Sequence, residues 1–258
     1  MVNHWNRLTS NEIKNILKRD PVVLLMVGSC EQHGDHLPVG TDLFISENIV
    51  EKAAKISKAE TIILPPISYG YSPHHMNFYG TISIKQTILK ELIKSICFSL
   101  IKFKVDKILI LNGHGGNQPL LECVINEIGE KKDLNLILIR YWDLISSQIK
   151  EIRDSKKGGM GHAGEFETSL MEFIMPNLIK FDKREDETKE GISIYSPDMF
   201  AKNDIFIYKT FDKFSKKGII GNSTISSSEK GRKLFELITH ELSNIIDYVD
   251  EHGLNFQN

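Results

Sequence analysis

Apolar residues recur along this chain in two alternating rhythms. Short continuous runs at Val22–Val27, Thr61–Leu64, Lys107–Leu111 and Leu134–Ile139 are rich in Val, Ile and Leu, as in strands buried on both faces. Between them the spacing turns helical. Asn11–Lys18 follows Ser10, and residues 43–58 carry Leu43, Ile45, Ile49, Val50, Ala53, Ala54 and Ile56. Gln86–Phe103 carries Leu89, Leu92, Ile93, Ile96, Leu100 and Phe103 as one stripe. Asn117 is placed to cap a helix through Ile128, with Pro119 tolerated in its first turn. A last long helix starts at Ser226–Ser228 and runs to about Asp250, with Leu234, Ile238, Leu242, Ile245 and Val249 along its buried face. Strands alternating with helices predict a three-layer α/β/α fold around a mostly parallel sheet. Right-handed crossovers bring the strand C-termini to one edge.

No repeat, low-complexity segment or linker divides the chain, so residues 1–258 are expected to form one domain. Residues 181–217 stand apart. Phe181–Glu190 is dense in charge, and Ile205–Tyr208 is expected as a strand of a protruding hairpin. That excursion reads as a solvated loop, a subunit contact or a lid. A net charge of -2 gives no electrostatic reason to expect nucleic acid or an anionic membrane as partner. No apolar run approaches the length of a bilayer span. Three cysteines without a CxxC pair, and an N-terminus without the layout of a signal peptide, point to a reduced, cytoplasmic setting.

Polar clusters lie just past these strands, where α/β proteins build their sites. Glu31, His33 and Asp42 follow the first run, Asn112-Gly113-His114-Gly115-Gly116-Asn117 ends the third, and His162-Ala163-Gly164-Glu165-Phe166-Glu167-Thr168 comes later. Carboxylates and imidazoles in this mixture suit Zn²⁺, Mn²⁺ or Fe²⁺, and the donors suffice for two ions. Asp42 is the candidate bridge. Glu31 and His114 complete one site, and His33 and Glu167 the other. Two such ions lower the pKa of a shared water and polarise a carbonyl together, which points to a metal-dependent hydrolase attacking with a metal-bridging hydroxide. His162 is the candidate proton donor. Glu165 either orients that imidazole or faces the dipole of its own helix. Ser72, His75 and Trp142 are candidate substrate contacts, a surface role for the His74-His75 pair and a core role for Trp142 being the alternatives. Cys30 reads as a small residue at a strand end, with a thiol nucleophile as the alternative. His36 stands behind the ligands or is structural, and His4, His240 and His252 read as exposed bystanders.

Glu31-Gln32-His33-Gly34 with Asp42, then Phe78-Tyr79-Gly80-Thr81, Asn112-Gly113-His114, Tyr141-Trp142-Asp143 and His162-Ala163-Gly164-Glu165-Phe166-Glu167-Thr168-Ser169, taken in order, resemble the creatininase (creatinine amidohydrolase) family. The resemblance implies an α/β fold, a binuclear Zn/Mn-type centre at the strand C-termini, and commonly a homohexamer. Carried over by position, it implies Glu31, Asp42 and His114 for one metal, His33, Asp42 and Glu167 for the other, and His162 as proton donor. Two positions depart from creatininase itself. Gly116 stands where that enzyme has a glutamate, and Gly158 where it has a tryptophan closing over the planar substrate. The expected activity is hydrolysis of a C–N amide bond, cyclic or formyl, in a small-molecule substrate. Hydrolysis of a cyclic polyol ketone or lactone-like compound, creatininase activity proper, and a metal-stabilised oligomeric scaffold are the alternatives.

Overall fold

The computed structural model describes residues 2–254. Its sheet holds β1 (Asn3–His4), β2 (Val22–Val27), β3 (Thr61–Ile63), β4 (Lys107–Asn112) and β5 (Asn135–Arg140), in the order β1-β3-β2-β4-β5. Every neighbouring pair is parallel. The apolar runs therefore mark β2, β3, β4 and β5 to within one residue, while the two-residue β1 is too short to leave a pattern.

Alternation along β2 explains the layers. Val22, Leu24 and Met26 face a cluster containing Ile45, Ile49 and Val50 of α2 (Thr41–Ile56), Phe166 and Leu170 of α5 (Glu165–Ile174), and Leu234, Ile238 and Leu242 of α6 (Ser228–His252). Val23, Leu25 and Val27 face Ile16 of α1 (Ser10–Leu17), Leu89, Ile93 and Leu100 of α3 (Gln86–Lys102), and Leu121, Val124 and Ile128 of α4 (Gln118–Gly129). A strand covered on both sides has no polar position to spare, which is why these runs read as continuous. The result is the expected three-layer α/β/α architecture.

Caps set the helix starts. Thr9 and Glu12 form a capping box at α1, and Ser227 accepts from the Lys230 N–H at α6. Asn117 does not cap α4. Its side chain instead receives the Tyr71 N–H (2.9 Å) and donates to the Gly28 carbonyl (3.0 Å), joining two loops at the sheet edge. No helix among the described residues is long and apolar enough to cross a membrane.

Residues 205–208 form no strand. Their backbone meets no ladder partner, and an isolated strand is not stable without one. The short antiparallel pair in this region is β6 (Asp186–Glu187) with β7 (Gly221–Asn222). Between them the chain runs irregularly back across the C-terminal edge of the sheet.

Candidate metal centre

From β2 the chain passes through α2 to β3 on one side, and α3 then carries it back past β2 to β4 on the other. The C-terminal ends of β2 and β4 thus flank the point where the winding reverses, the usual crevice for a ligand. The loop after β2 delivers Glu31 and His33, α2 presents Asp42 in its first turn, His114 follows β4, and Glu167 lies in the first turn of α5. Both helix N-termini favour the carboxylates they carry. All five side chains are buried.

Asp42 stands between two imidazoles. Its Oδ1 lies 3.1 Å from His33 Nε2, and its Oδ2 lies 3.3 Å from His114 Nδ1. His114 Nδ1 is also 3.2 Å from Glu31 Oε1, and His33 Nε2 is 4.0 Å from Glu167 Oε2. The far nitrogen of each ring is committed to backbone. His33 Nδ1 donates to the Glu31 carbonyl (3.0 Å), and His114 Nε2 to the Tyr71 carbonyl (3.2 Å). A carbonyl can only accept, so the nitrogens turned toward the carboxylates carry lone pairs in the neutral rings.

The electrostatics of this arrangement ask for cations. Burial alone would raise the Glu31 carboxyl, but His114, His75 and His162 hold it well below the usual range. Burial opposes a charge on His33, yet Asp42 and Glu167 raise its pKa to about 9, and Glu31 and Asp42 hold His114 well above its ordinary value. Burial, with Asp42 adding repulsion, pushes Glu167 up to about 7. Glu31 Oε2 and Asp42 Oδ2 are buried without a hydrogen-bond partner, a costly state for a carboxylate oxygen unless something positive meets it. Ligand atoms of His33, Asp42 and Glu167 lie within 4.8 Å of one another, as do those of Glu31, His74 and His114 and those of Glu31, His33 and His162. Donor type, burial and orphaned oxygens fit divalent metal ions.

His162 sits beside this cluster, its Nδ1 3.7 Å from Glu31 Oε1. Its Nε2 donates to the Gln32 carbonyl at 2.7 Å. Burial, helped by His33, holds its pKa well below the ordinary histidine value, so the ring is neutral with its lone pair on Nδ1. Ala163 beside it adopts φ 53°, an uncommon conformation for a residue with a Cβ, and its N–H meets Glu167 Oε2 at 2.6 Å.

The sequence reading overlooked Gln32. Its amide nitrogen donates to His75 Nδ1 (2.9 Å) and the Gly218 carbonyl (3.0 Å), while its oxygen accepts the Gly34 N–H (2.9 Å). His75 is therefore left with its hydrogen on Nε2, aimed at Glu31 Oε1 at 3.5 Å. Gln32 lies between two expected ligands, so its position was the available signal. Phe211 was also overlooked, and nothing in its neighbourhood pointed to it. It stacks on His75 at 4.0 Å and meets His162 edge-on at 4.8 Å.

Three expected site residues lie elsewhere. The Glu165 carboxylate turns away from His162 to take the N–H groups of Asp154 and Ser155 (both 2.9 Å) and Lys230 Nζ (2.6 Å). Trp142 is packed in the core against Tyr141 and does not reach the cavity, since the chain turns inward directly after β5. Ser72 is buried behind His114, its Oγ 3.1 Å from His114 Nε2 and 2.6 Å from Ser29 Oγ, so it steadies that ring and does not line the cavity. His75 does line the cavity. Cys30 does not. Its thiol lies against the Gly80 carbonyl at 3.7 Å, as expected of a strand-end residue.

The cavity over the cluster measures about 620 Å³. Glu31, Asp42, His114, His162 and Glu167 form its floor, and Met199, Phe206, Tyr208, Phe211 and Phe214 supply much of an apolar outer wall. No aromatic cover comes from position 158. Gly158 has φ +91°, and a Cβ there would lie 2.0 Å from the Lys189 carbonyl oxygen.

Known proteins share this framework. The chain is 28% identical over 239 residues to a mycofactocin precursor peptide peptidase of Mycobacterium ulcerans, covering 87% of this chain and 84% of that protein. It is 24% identical over 242 residues to the creatinine amidohydrolase of Pseudomonas putida, covering 88% and 89%. The solved structure of a creatininase in a Mn form superposes with a TM-score of 0.80 at 23% identity, across 99% of this chain and 100% of that one, which shows the shared fold. With the family model for creatinine amidohydrolase matching residues 6–246, the chain belongs to the creatininase family.

Proposed function

We propose that this protein is a metal-dependent hydrolase that cleaves an amide C–N bond, of the cyclic amide or formamide type, in a small-molecule substrate. The observation that carries the reading is Asp42, whose two oxygens each meet a different histidine, at 3.1 and 3.3 Å, from buried positions. One shared carboxylate between two donor sets suits a pair of ions, with Glu31 and His114 on one side and His33 and Glu167 on the other. When bound, Zn²⁺ or Mn²⁺, with Fe²⁺ as the third choice, supplies Lewis acidity that acidifies a water and polarises the scissile carbonyl.

The chain's own groups do the rest. Neutral His162 accepts a proton at Nδ1 and returns it to the leaving nitrogen, which makes it the proton donor of the cleavage step. Its Nε2–H stays on the Gln32 carbonyl, so the ring keeps its orientation while its charge changes. Glu31, 3.7 Å from Nδ1, stabilises the imidazolium in between. Phe211 and the apolar outer wall exclude bulk water, which strengthens each of these interactions.

The cavity also bears on the substrate. Among the described lining residues Lys209 is the one lysine or arginine, and much of the wall is aromatic or aliphatic. That favours a molecule with little negative charge and an apolar body. A second reading, cleavage of an amide at the end of a short apolar peptide, is favoured by the same wall and by the resemblance to a peptide peptidase.

The test is metal analysis followed by a hydrolysis screen. Protein purified without chelator is expected to hold close to two equivalents of transition metal per chain. It is expected to release amine or acid from at least one of creatinine-like lactams, formylamino heterocycles or short apolar peptides. Metal-loaded protein inert on all three classes but active on cyclic ketones would transfer the reading to carbon–carbon or lactone-like substrates.

A further inference from the structure

We propose that His74 is an additional donor to the ion held by Glu31 and His114, and that Gly116 is glycine so that this ring can lie there. The inference rests on the metal reading above. A ring nitrogen of His74 lies within 4.8 Å of ligand atoms of both Glu31 and His114, and His74 lines the same cavity. Its ring is nearly parallel to that of His114, at 5.6 Å and 13°. Both nitrogens of His75 are taken up by Gln32 and Glu31, and Nε2 of His114 by Tyr71 and Ser72, whereas those of His74 bond to no described residue. An imidazole with both nitrogens unspent beside a buried carboxylate is a donor in waiting.

Gly116 supplies the independent observation. A Cβ at this position would lie 2.4 Å from His114 Nε2, 2.6 Å from the Tyr71 carbonyl oxygen and 2.9 Å from His74 Cε1. Any side chain would displace the backbone or push both rings out of place. The ring of His74 is carried in by a short 3-10 turn, Pro73–His75, closed by the His75 N–H on the Ser72 carbonyl at 3.0 Å. A side chain at position 116 would thus press on His114 and Tyr71 first and on the His74 ring next, and glycine leaves all three in place.

The consequence is chemical. Glu31, Asp42 and His114 offer two carboxylates and one nitrogen, and His74 adds a second, uncharged nitrogen. Nitrogen-rich sets favour Zn²⁺ over the harder Mn²⁺, so the ion on this side is expected to be the more zinc-selective of the two.

The experiment compares wild type with His74→Ala and His74→Phe by competition titration of Zn²⁺ and Mn²⁺, with Co²⁺ absorption as a report on coordination. His74→Phe keeps the aromatic packing on His114 and Phe211 but has no lone pair. Both variants are expected to bind one of the two Zn²⁺ ions about 10- to 100-fold more weakly, with a smaller loss for Mn²⁺ and a changed Co²⁺ spectrum. If His74→Phe binds both Zn²⁺ ions as wild type does, with an unchanged Co²⁺ spectrum, His74 is no ligand while the metal reading stands. Wild type that takes up neither Zn²⁺, Mn²⁺ nor Co²⁺ overturns the metal reading itself.

Discussion

Asp42 faces His33 with one oxygen and His114 with the other, so its loss touches both halves of the cluster at once. Asp42→Ala is expected to lower bound metal toward zero, where Glu31→Ala or Glu167→Ala weakens one ion more than the other. Elemental analysis of the purified variants decides it, and an Asp42→Ala protein with full metal content would rule out the shared-carboxylate arrangement. His162 separates binding from turnover. Its Nε2 is held by the Gln32 carbonyl and its Nδ1 is only 3.7 Å from Glu31, which gives it a proton-transfer position at the edge of the cluster. His162→Ala is expected to retain metal while turnover falls roughly 10²–10⁴-fold, the usual contribution of a general acid. Single-turnover rates on metal-replete variant, set beside its metal content, measure the two effects separately.

At the scale of elements, α5 does two jobs with one turn. Glu167 points to the cluster, while Glu165, two residues earlier and on another face, pins the loop at Asp154 and Ser155 and pairs with Lys230 of α6. Glu165→Gln keeps the size but removes the charge opposite Lys230. It is expected to lower stability by about 1–3 kcal/mol, the range for disturbing a buried hydrogen-bonded polar group, with metal content unchanged. Denaturant midpoints and elemental analysis together check this; unchanged stability with lost turnover would return Glu165 to the proton relay. This pairing also shows what the sequence could and could not reveal. Glu31, His33, Asp42 and His114 were legible because each follows an apolar run whose end fixes the sheet edge. The direction of a buried carboxylate in α5 was not legible, since it depends on Lys230, 65 residues away. Trp142 misled for a related reason: the residues just after a strand point either to the crevice or back into the core, and the 3-10 turn Tyr141–Ile145 sends this one inward. Gln32 and His74 form contacts that only the assembled loops create.

At the scale of the whole molecule, residues 195–214 give the cavity an outer wall that the α/β framework alone does not. Tyr195, Met199, Phe206, Tyr208, Phe211 and Phe214 all line it, yet Phe206 and Tyr208 are also largely open to solvent. The segment is moored where Phe211 packs on His75 and where Asn77 Nδ2 donates to Asp212 Oδ1 at 2.7 Å. Its tip, residues 202–209, is mostly exposed and holds no helix or strand, so removing it costs little burial. A cover and a subunit contact then make different demands on the same residues. We propose the cover, and replacing residues 202–209 by a short Gly-Ser bridge separates the two roles. The expected result is a raised KM for the largest accepted substrates, a thermal midpoint within a few degrees of wild type, full metal content and an unchanged assembly mass by light scattering. A bridge variant that falls apart into smaller assemblies while keeping its KM would make the segment an interface. The aromatic wall would then be completed by a neighbouring chain and not by this one closing over its own site.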